Sequence, residues 1–336
     1  MFLSLITFFI VLLVLYDIAV TILSHGGAGP ITKFWTEKVW QVILYFHYKL
    51  NFSIPIKMAG PSFIIGIICV WYTLLYICWC IFLTIGDYSV SGKNDPSVST
   101  LDIIYFVGST FSNLGIGDYV PNRFPWTIVT TSGAFLVTLL LSLMVSYVIP
   151  VLSALVDRRR LITKINLIGE TTEDIIKNAW TGGSANELDS EVLSISNQLL
   201  KESYRGYVYP ILSHFYFQGK GYSLNLNVLN LFDALLVQYY KPSRQGNLAY
   251  IKVKFMIRTI EKYTQNSKER SDKVYKSFTY NHEDLFELLK EYKVDFEKNE
   301  ELIQLLTIRE YLLAFSYFEG KNSKHKKVLS KPRECN

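Results

Sequence analysis

The sequence predicts an all-α membrane protein, with a membrane-embedded N-terminal part that contains a re-entrant segment and a C-terminal helical bundle. Three observations carry that expectation. Three apolar runs long enough to cross a bilayer lie within the first 156 of 336 residues; a polar, glycine-bearing stretch separates the second run from the third; and beyond Leu161 apolar residues recur at helical spacing with no clear alternating strand run. Hydrophobic residues make up 50% of the chain but are placed so unevenly that the two parts are read separately.

Residues 1–24 carry Asp17 as their only charge, and residues 62–86 and 126–156 carry none. Each can cross roughly 30 Å of hydrocarbon as a helix of about 20 residues. A cleaved secretory signal is the other reading of the first run, but no basic region precedes it and its core exceeds the ~7–15 residues such signals use. Between the first two spans, residues 34–52 hold Phe34, Trp35, Val39, Trp40, Val42, Ile43, Tyr45 and Phe46 with lysines interspersed, a pattern expected of an amphipathic helix at the membrane interface. A short fourth span is the alternative. Gly29-Pro30 and Gly60-Pro61 punctuate its ends. Lys33, Lys38, Lys49 and Lys57 against Glu37, and Asp157-Arg158-Arg159-Arg160 after the last span, place both flanks on the cytoplasmic side, whereas the loop 87–99 has one lysine against two aspartates and faces out. The expectation is a multi-pass protein of the cell membrane whose path starts outside and ends in a cytoplasmic C-terminal domain. The domain limits are then 1–24, 25–61, 62–156, 157–320 and a basic tail, 321–336.

Past Leu161, Thr171-Thr172-Glu173-Asp174 is a helix-start signature before Ile175, Ile176 and Ala179. Further helices are expected over 186–209, 224–240, 248–263, 282–297 and 299–318, with a break near Pro210, Gly219 and Gly221. No strand leads into Gly-x-Gly-x-x-Gly, so a Rossmann-like regulatory domain is not expected. The formal charge of +5 is modest and sits largely in the inner flanks and in Lys321, Lys324, Lys326, Lys327, Lys331 and Arg333; nucleic-acid binding is not indicated. That tail reads as a solvated end, with contact to anionic lipid as the alternative. Cys69, Cys78 and Cys80 lie inside the second span and Cys335 near the terminus, so neither a disulfide framework nor a zinc site is implied. His214 and His282 have no ligand-spaced partners and read as core or capping residues. The acid pairs Glu283-Asp284 and Glu300-Glu301 sit at helix starts, where the dipole suffices to explain them. The aromatic patch Tyr204, Tyr207, Tyr209, Phe215, Tyr216 and Phe217 reads as bundle core, with a ligand pocket as the alternative. No Gly-x-Ser-x-Gly elbow appears, and no enzyme or cofactor is implied.

Residues 99–121 are the informative segment. Lipid cannot satisfy irregular backbone, so such a stretch between two spans is tolerated only where protein or water covers it. Ser99 or Thr100 can cap a short helix over 101–112, which contains Thr110 and Ser112 near its end, and Asn113-Leu114-Gly115-Ile116-Gly117-Asp118-Tyr119-Val120-Pro121 follows. Glycines in alternation adopt backbone angles that other residues resist, which lets successive carbonyls point one way and replace an ion's hydration shell. Leu114 and Ile116 then point away and wedge the loop. The negative end of the short helix favours a cation beyond it.

The run from Tyr105 to Pro121 resembles the potassium-channel pore family, with its Thr-x-Gly-Tyr-Gly-Asp filter, and with its flanking spans the resemblance covers residues 62–156. It implies a re-entrant pore-loop channel module: a pore helix ending near Thr110 and Ser112, a filter of Asn113, Leu114, Gly115, Ile116, Gly117 and Asp118, potassium held as the permeant ion by the backbone carbonyls of Asn113 to Gly117, and a homotetramer in membrane lipid, since one filter strand cannot enclose an ion. Two residues depart from the family pattern. Asn113 stands at the filter threonine and Ile116 at the aromatic position, and Asn113 opens nonselective cation conduction as an alternative. Gly133 invites comparison with the gating-hinge glycine but lies about one turn early; close packing against the pore helix is its other reading. Pro150 near the inner end removes a backbone donor and marks a candidate splay or gate. No span carries an arginine ladder of the voltage-sensor kind. The other function class open to this sequence is a membrane-anchored signalling protein whose helical C-terminal domain, of unknown ligand, is the active part.

Overall fold

The computed structural model describes residues 2–23, 28–50, 59–93, 98–180, 185–209, 211–212, 215, 223–240, 248–277, 279–294, 300–318 and 329–330. These fall into two compact units, residues 1–152 and 153–336. Helices dominate both. The tail 321–336, apart from its residues 329–330, and His214, Tyr216 and Phe217 lie outside the described residues.

The first unit contains α1 (Phe2–Leu23), α2 (Pro30–Leu50), α3 (Ala59–Ile85), β1 (Val90–Gly92), α4 (Thr100–Phe111), β2 (Tyr119–Pro121) and the first part of α5 (Trp126–Ile168). Among the described residues α1, α3 and α5 are the helices long and apolar enough to cross a membrane. Helix α3 is the hub, packing on α1, α2 and α4. Its buried residues Trp71, Leu75, Cys78, Trp79 and Leu83 join Val11, Val14 and Ile18 of α1, Phe106 and Phe111 of α4, and Val137 and Leu140 of α5 in one core. Three tryptophans seat on glycines across helix pairs: a Cβ built on Gly66 would overlap the Trp35 ring, one on Gly86 the Trp126 ring, and one on Gly133 the Trp79 ring.

Asp17, the lone charge of the first span, is fully buried at 0% exposure. One carboxyl oxygen accepts from the backbone N–H groups of Ile31 (2.7 Å) and Thr32 (3.2 Å), the other from the Thr32 hydroxyl (2.7 Å) and the Trp71 indole N–H (2.7 Å). It therefore caps α2 from another helix. The unpaired N–H groups of a helix start attract an acidic oxygen, and Pro30, lacking an N–H, suits the first position. That cap explains why α2 begins at Pro30, ahead of the start at Phe34 that the aromatic pattern suggests.

In the second unit the end of α5 is followed by α6 (Thr172–Trp180), α7 (Ala185–Val208), α8 (Leu224–Tyr239), α9 (Leu248–Ser277), β3 (Thr279–Tyr280), α10 (Glu283–Glu291), α11 (Glu300–Phe318) and β4 (Leu329–Ser330). Helix α8, capped by the Ser223 side chain, is buried at nearly every position and packs on α6, α9, α10 and α11. A single apolar core runs from Leu161, Ile162 and Ile165 of α5 through Phe232 of α8 to Leu312 of α11. The strands β3 and β4 pair antiparallel over two residues each, too short to leave an alternating pattern in the sequence. Helix α9 runs beyond residue 263 to Ser277. Helix α10 stops at Glu291 instead of 297, because Lys293 turns left-handed (φ 53°) and the N–H groups of Lys293 and Val294 close on the carbonyls of Lys290 and Leu289.

Two expectations are corrected here. Tyr204 and Tyr207 are 57% and 48% exposed rather than core, because α7 turns Val192, Ile195 and Leu199 inward and leaves the tyrosines on the other side. His282 stands at the start of α10, yet its side chain makes no capping bond; its ring instead meets Glu310 at 3.1 Å and Arg309 at 3.2 Å.

Those contacts belong to a buried ionic cluster. Arg309, at 0% exposure, pairs bidentately with Asp233 (2.9 and 3.1 Å) and also with Asp284 (2.8 Å). Burial alone lowers the Arg309 pKa, but Asp233 and Asp284 outweigh it and hold the guanidinium above its ordinary value. Burial likewise works to raise the Glu310 carboxyl, and hydrogen bonds from His282 and Tyr275 outweigh it and keep it low. The cluster joins α8, α9, α10 and α11. Removing one partner strands a buried charge, which costs about 3–5 kcal/mol; Asp233→Ala is expected to lower the thermal midpoint of the purified protein sharply, while Lys290→Ala on the exposed face of α10 leaves it within experimental error.

Candidate functional site

The site begins with a helix cap. The Ser99 side chain accepts from the Asp102 N–H while the Asp102 carboxyl accepts from the Ser99 N–H (2.8 Å) and hydroxyl (2.7 Å), a reciprocal box that fixes the start of α4. The other oxygen of Asp102 accepts from the Tyr119 hydroxyl at 2.8 Å. On the opposite side the Tyr76 hydroxyl donates to the Ile104 carbonyl at 2.7 Å, and Phe111 sits among the rings of Tyr72, Tyr76 and Trp79 at centroid distances of 6.1, 6.1 and 5.9 Å. Helix α4 is thus held along its length by α3 and at its start by a residue that follows the loop.

Its end is equally defined. Asn113 is left-handed at φ 57°, its N–H donates to the Thr110 carbonyl at 3.1 Å, and the Leu114 N–H donates to the Ser109 carbonyl at 3.0 Å. This pair of bonds is the Schellman motif, with Asn113 in the place glycine usually takes. The Thr110 hydroxyl folds back on the Phe106 carbonyl (2.8 Å) and the Ser112 hydroxyl on the Ser109 carbonyl (3.2 Å). Both side chains therefore serve the helix end.

From Asn113 onward the backbone alternates. Gly115 (φ 57°) and Gly117 (φ 80°) are left-handed like Asn113, whereas Leu114 and Ile116 keep negative φ. L side chains resist the left-handed region, which is why glycines stand at two of its three positions; asparagine is among the few others that tolerate it. Among the described residues no donor reaches the carbonyls of Asn113, Leu114, Gly115, Ile116 or Gly117. All five residues are exposed in the single chain, with Leu114 at 67% and Ile116 at 58%.

At Asp118 the bonding resumes. Its carbonyl accepts from the Lys93 N–H at 2.9 Å, its carboxyl accepts from the Tyr119 N–H at 3.0 Å, and β2 pairs antiparallel with β1, Val90 opposite Pro121 and Gly92 opposite Tyr119. Tyr119 links this end to α4 through Asp102 and through an edge contact with Tyr105 at 5.9 Å. The sequence pointed to the loop but not to its anchors: Asp102, Tyr105, Tyr119 and Tyr76 look like ordinary residues of aromatic segments until the fold brings them together.

Gly133 lies beneath the Trp79 ring, whose N–H donates to the Val129 carbonyl at 2.8 Å, so its packing partner is α3 and not the short helix α4. Pro150 sits inside α5, which continues through it to Ile168. Among the described residues no group of three or more His, Cys, Asp or Glu side chains is placed to hold a metal ion.

The chain is 28% identical over 239 residues to the uncharacterized membrane protein YdjJ of Bacillus subtilis (strain 168), an alignment that covers 69% of this chain and 68% of that protein. No family model matches, and no solved structure does. With three helices apolar and long enough to span a bilayer and a membrane protein as relative, the chain is an all-α membrane protein.

The left-handed cap gives a direct test. Asn113→Gly is expected to leave the thermal midpoint of the purified protein unchanged or raised, whereas Asn113→Val, with a β-branched side chain at φ 57°, is expected to destabilise the segment by roughly 1–2 kcal/mol, read as a lower midpoint and as faster proteolysis between α4 and α5.

Proposed function

We propose that this chain is one subunit of a homotetrameric potassium-type cation channel, in which Asn113 to Gly117 of four copies surround the permeant ion. The observation that carries the reading is the run of five carbonyls without a partner among the described residues, placed by alternating φ between two apolar helices. Backbone oxygen must be paired or solvated; these five residues are exposed in the single chain, and between apolar spans lipid would offer their carbonyls nothing. A dehydrated cation ringed by four such strands satisfies them. The exposed Leu114 and Ile116 side chains support the same assembly, since neighbouring copies would cover them. The orientation argued from the lysine and arginine flanks puts the filter outside and the helical unit in the cytoplasm.

Conduction under this reading is passive. Ions shed water onto the carbonyls, and each is displaced by the next. Gly115 and Gly117 supply the conformation, Asp118 and Tyr119 anchor the outer end to α4, and Asn113 closes the inner end. The Asn113 amide, bulkier than a hydroxyl, is the place where discrimination between potassium and sodium is set.

The test is ion flux from liposomes that contain the purified full-length protein, with potassium or sodium as the loaded cation. Potassium flux that Gly115→Asp abolishes is the expected result, with a sodium rate at least about tenfold lower (about 1.4 kcal/mol of discrimination). Equal rates in the two salts would make the pore nonselective, and flux that survives Gly115→Asp would remove the filter from the conduction path.

A further inference from the structure

A second charged site lies in the helical unit, where the end of α5 meets α7. Asp157, Arg160, Leu161, Gln198, Lys201, Glu202 and Arg205 line a cavity of about 200 Å³. Its charges do not cancel. Glu202 is taken by Arg158 at 2.5 Å, and Arg158 also donates to the Leu212 carbonyl at 2.7 Å, so this pair closes on itself beside the cavity. The remaining three cations share one carboxylate: Asp157 meets Arg205 at 2.5 Å, Lys201 at 2.9 Å and Arg160 at 3.5 Å. The Arg160 and Lys201 side chains are 75% and 57% exposed at its mouth, while Arg205 is 21% exposed.

Hydrogen bonds from Lys201 and Arg205 hold the Asp157 carboxyl below its ordinary value. Asp157 thus marks where an anionic oxygen binds. One carboxylate answers three cations incompletely, whereas a phosphate brings three acceptor oxygens and close to two charges, and guanidinium forks match that geometry. Asp157 directly follows the last apolar residue of the third span within the same unbroken helix; a span that ends there would bring it near the lipid headgroups.

We propose that this cavity is a binding site for a phosphate-bearing anion, with Lys201, Arg205 and Arg160 as its ligands and Asp157 as a built-in competitor. The phosphate can be carried by a lipid headgroup or by a soluble compound, and the experiment separates them. Binding does not depend on conduction, so the proposal stands or falls apart from the channel reading.

The test is calorimetric titration of the full-length protein in neutral detergent with dioctanoyl phosphatidic acid, with dioctanoyl phosphatidylcholine and with inorganic phosphate. Saturable binding of phosphatidic acid but not phosphatidylcholine, weakened about tenfold or more by Lys201→Gln with Arg205→Gln and tightened by Asp157→Asn, is the expected result. Binding of inorganic phosphate with the same variant pattern would assign the site to a soluble ligand. Arg160→Gln removes an exposed side chain and serves as the variant least able to disturb folding; it is expected to weaken binding as well. No binding of either phosphate probe, or binding that is indifferent to all four substitutions, overturns the proposal.

Discussion

The first unit is organised around five backbone carbonyls, Asn113 to Gly117, that have no hydrogen-bond partner among the described residues although apolar spans flank them on both sides. A peptide oxygen has to be paired or solvated, and left unpaired away from water it costs several kcal/mol; these five residues are exposed in the single chain, so the requirement is met from outside the segment, by water or by another group. The surrounding structure prevents the loop from escaping that requirement by folding back on itself. At its start the Schellman bonds commit the N–H groups of Asn113 and Leu114; at its end the Lys93 N–H takes the Asp118 carbonyl, and β2 is paired with β1. With both ends fixed to α4 or to β1, the intervening residues cannot be drawn into a helix or a ladder.

Holding such a loop needs helix packing more specific than lipid exposure alone provides, since apolar helices gain little by leaving lipid for one another. Two devices provide it. Trp35 on Gly66, Trp126 on Gly86 and Trp79 on Gly133 each set a large ring into the space of a missing side chain and so fix both depth and register of a helix pair. Asp17 supplies the polar counterpart: its carboxyl draws the start of α2 and the Trp71 indole to one point on α1, an arrangement that loses several hydrogen bonds if any of the three helices shifts by a turn. The second unit uses the same logic. There Arg309 and its neighbour Glu310 reach α8, α9 and α10 from α11 through charge-assisted bonds set in a largely apolar core.

Much of this architecture was legible in the sequence because it follows from length and period. Spans of the bilayer's length, the helices that follow α5 in the second unit and the capped short helix before the glycines need only local pattern. What was not legible depends on contact between distant positions. Asp17 looked like an isolated charge in a span, Arg309 like any residue of a terminal helix, and His282 like a core or capping residue; their partners lie from 14 to 76 residues away. The aromatic run near residue 204 misled for the opposite reason. Its composition suits a core, but the phase of α7 is set by Val192, Ile195 and Leu199, and that phase turns Tyr204 and Tyr207 to the surface.

Asn113 shows how one residue answers to two constraints. Compared with a pore of the Thr-x-Gly-Tyr-Gly-Asp kind, it reads as a chemical change at an ion site. The backbone gives it another reason to be there: position 113 is the left-handed terminator of α4, and a β-branched residue at φ 57° is strained where asparagine is not. The side chain that ends the helix thereby also stands at the first of the unpaired carbonyls. Its amide oxygen and nitrogen make no bond to the described residues, so nothing among them fixes which of the two it presents. Conformation and chemistry can be separated at this position, because a glycine keeps the left-handed turn and removes the amide. Under the proposed channel reading, a change in ion preference that accompanies Asn113→Gly belongs to the amide, since glycine accommodates the same left-handed turn.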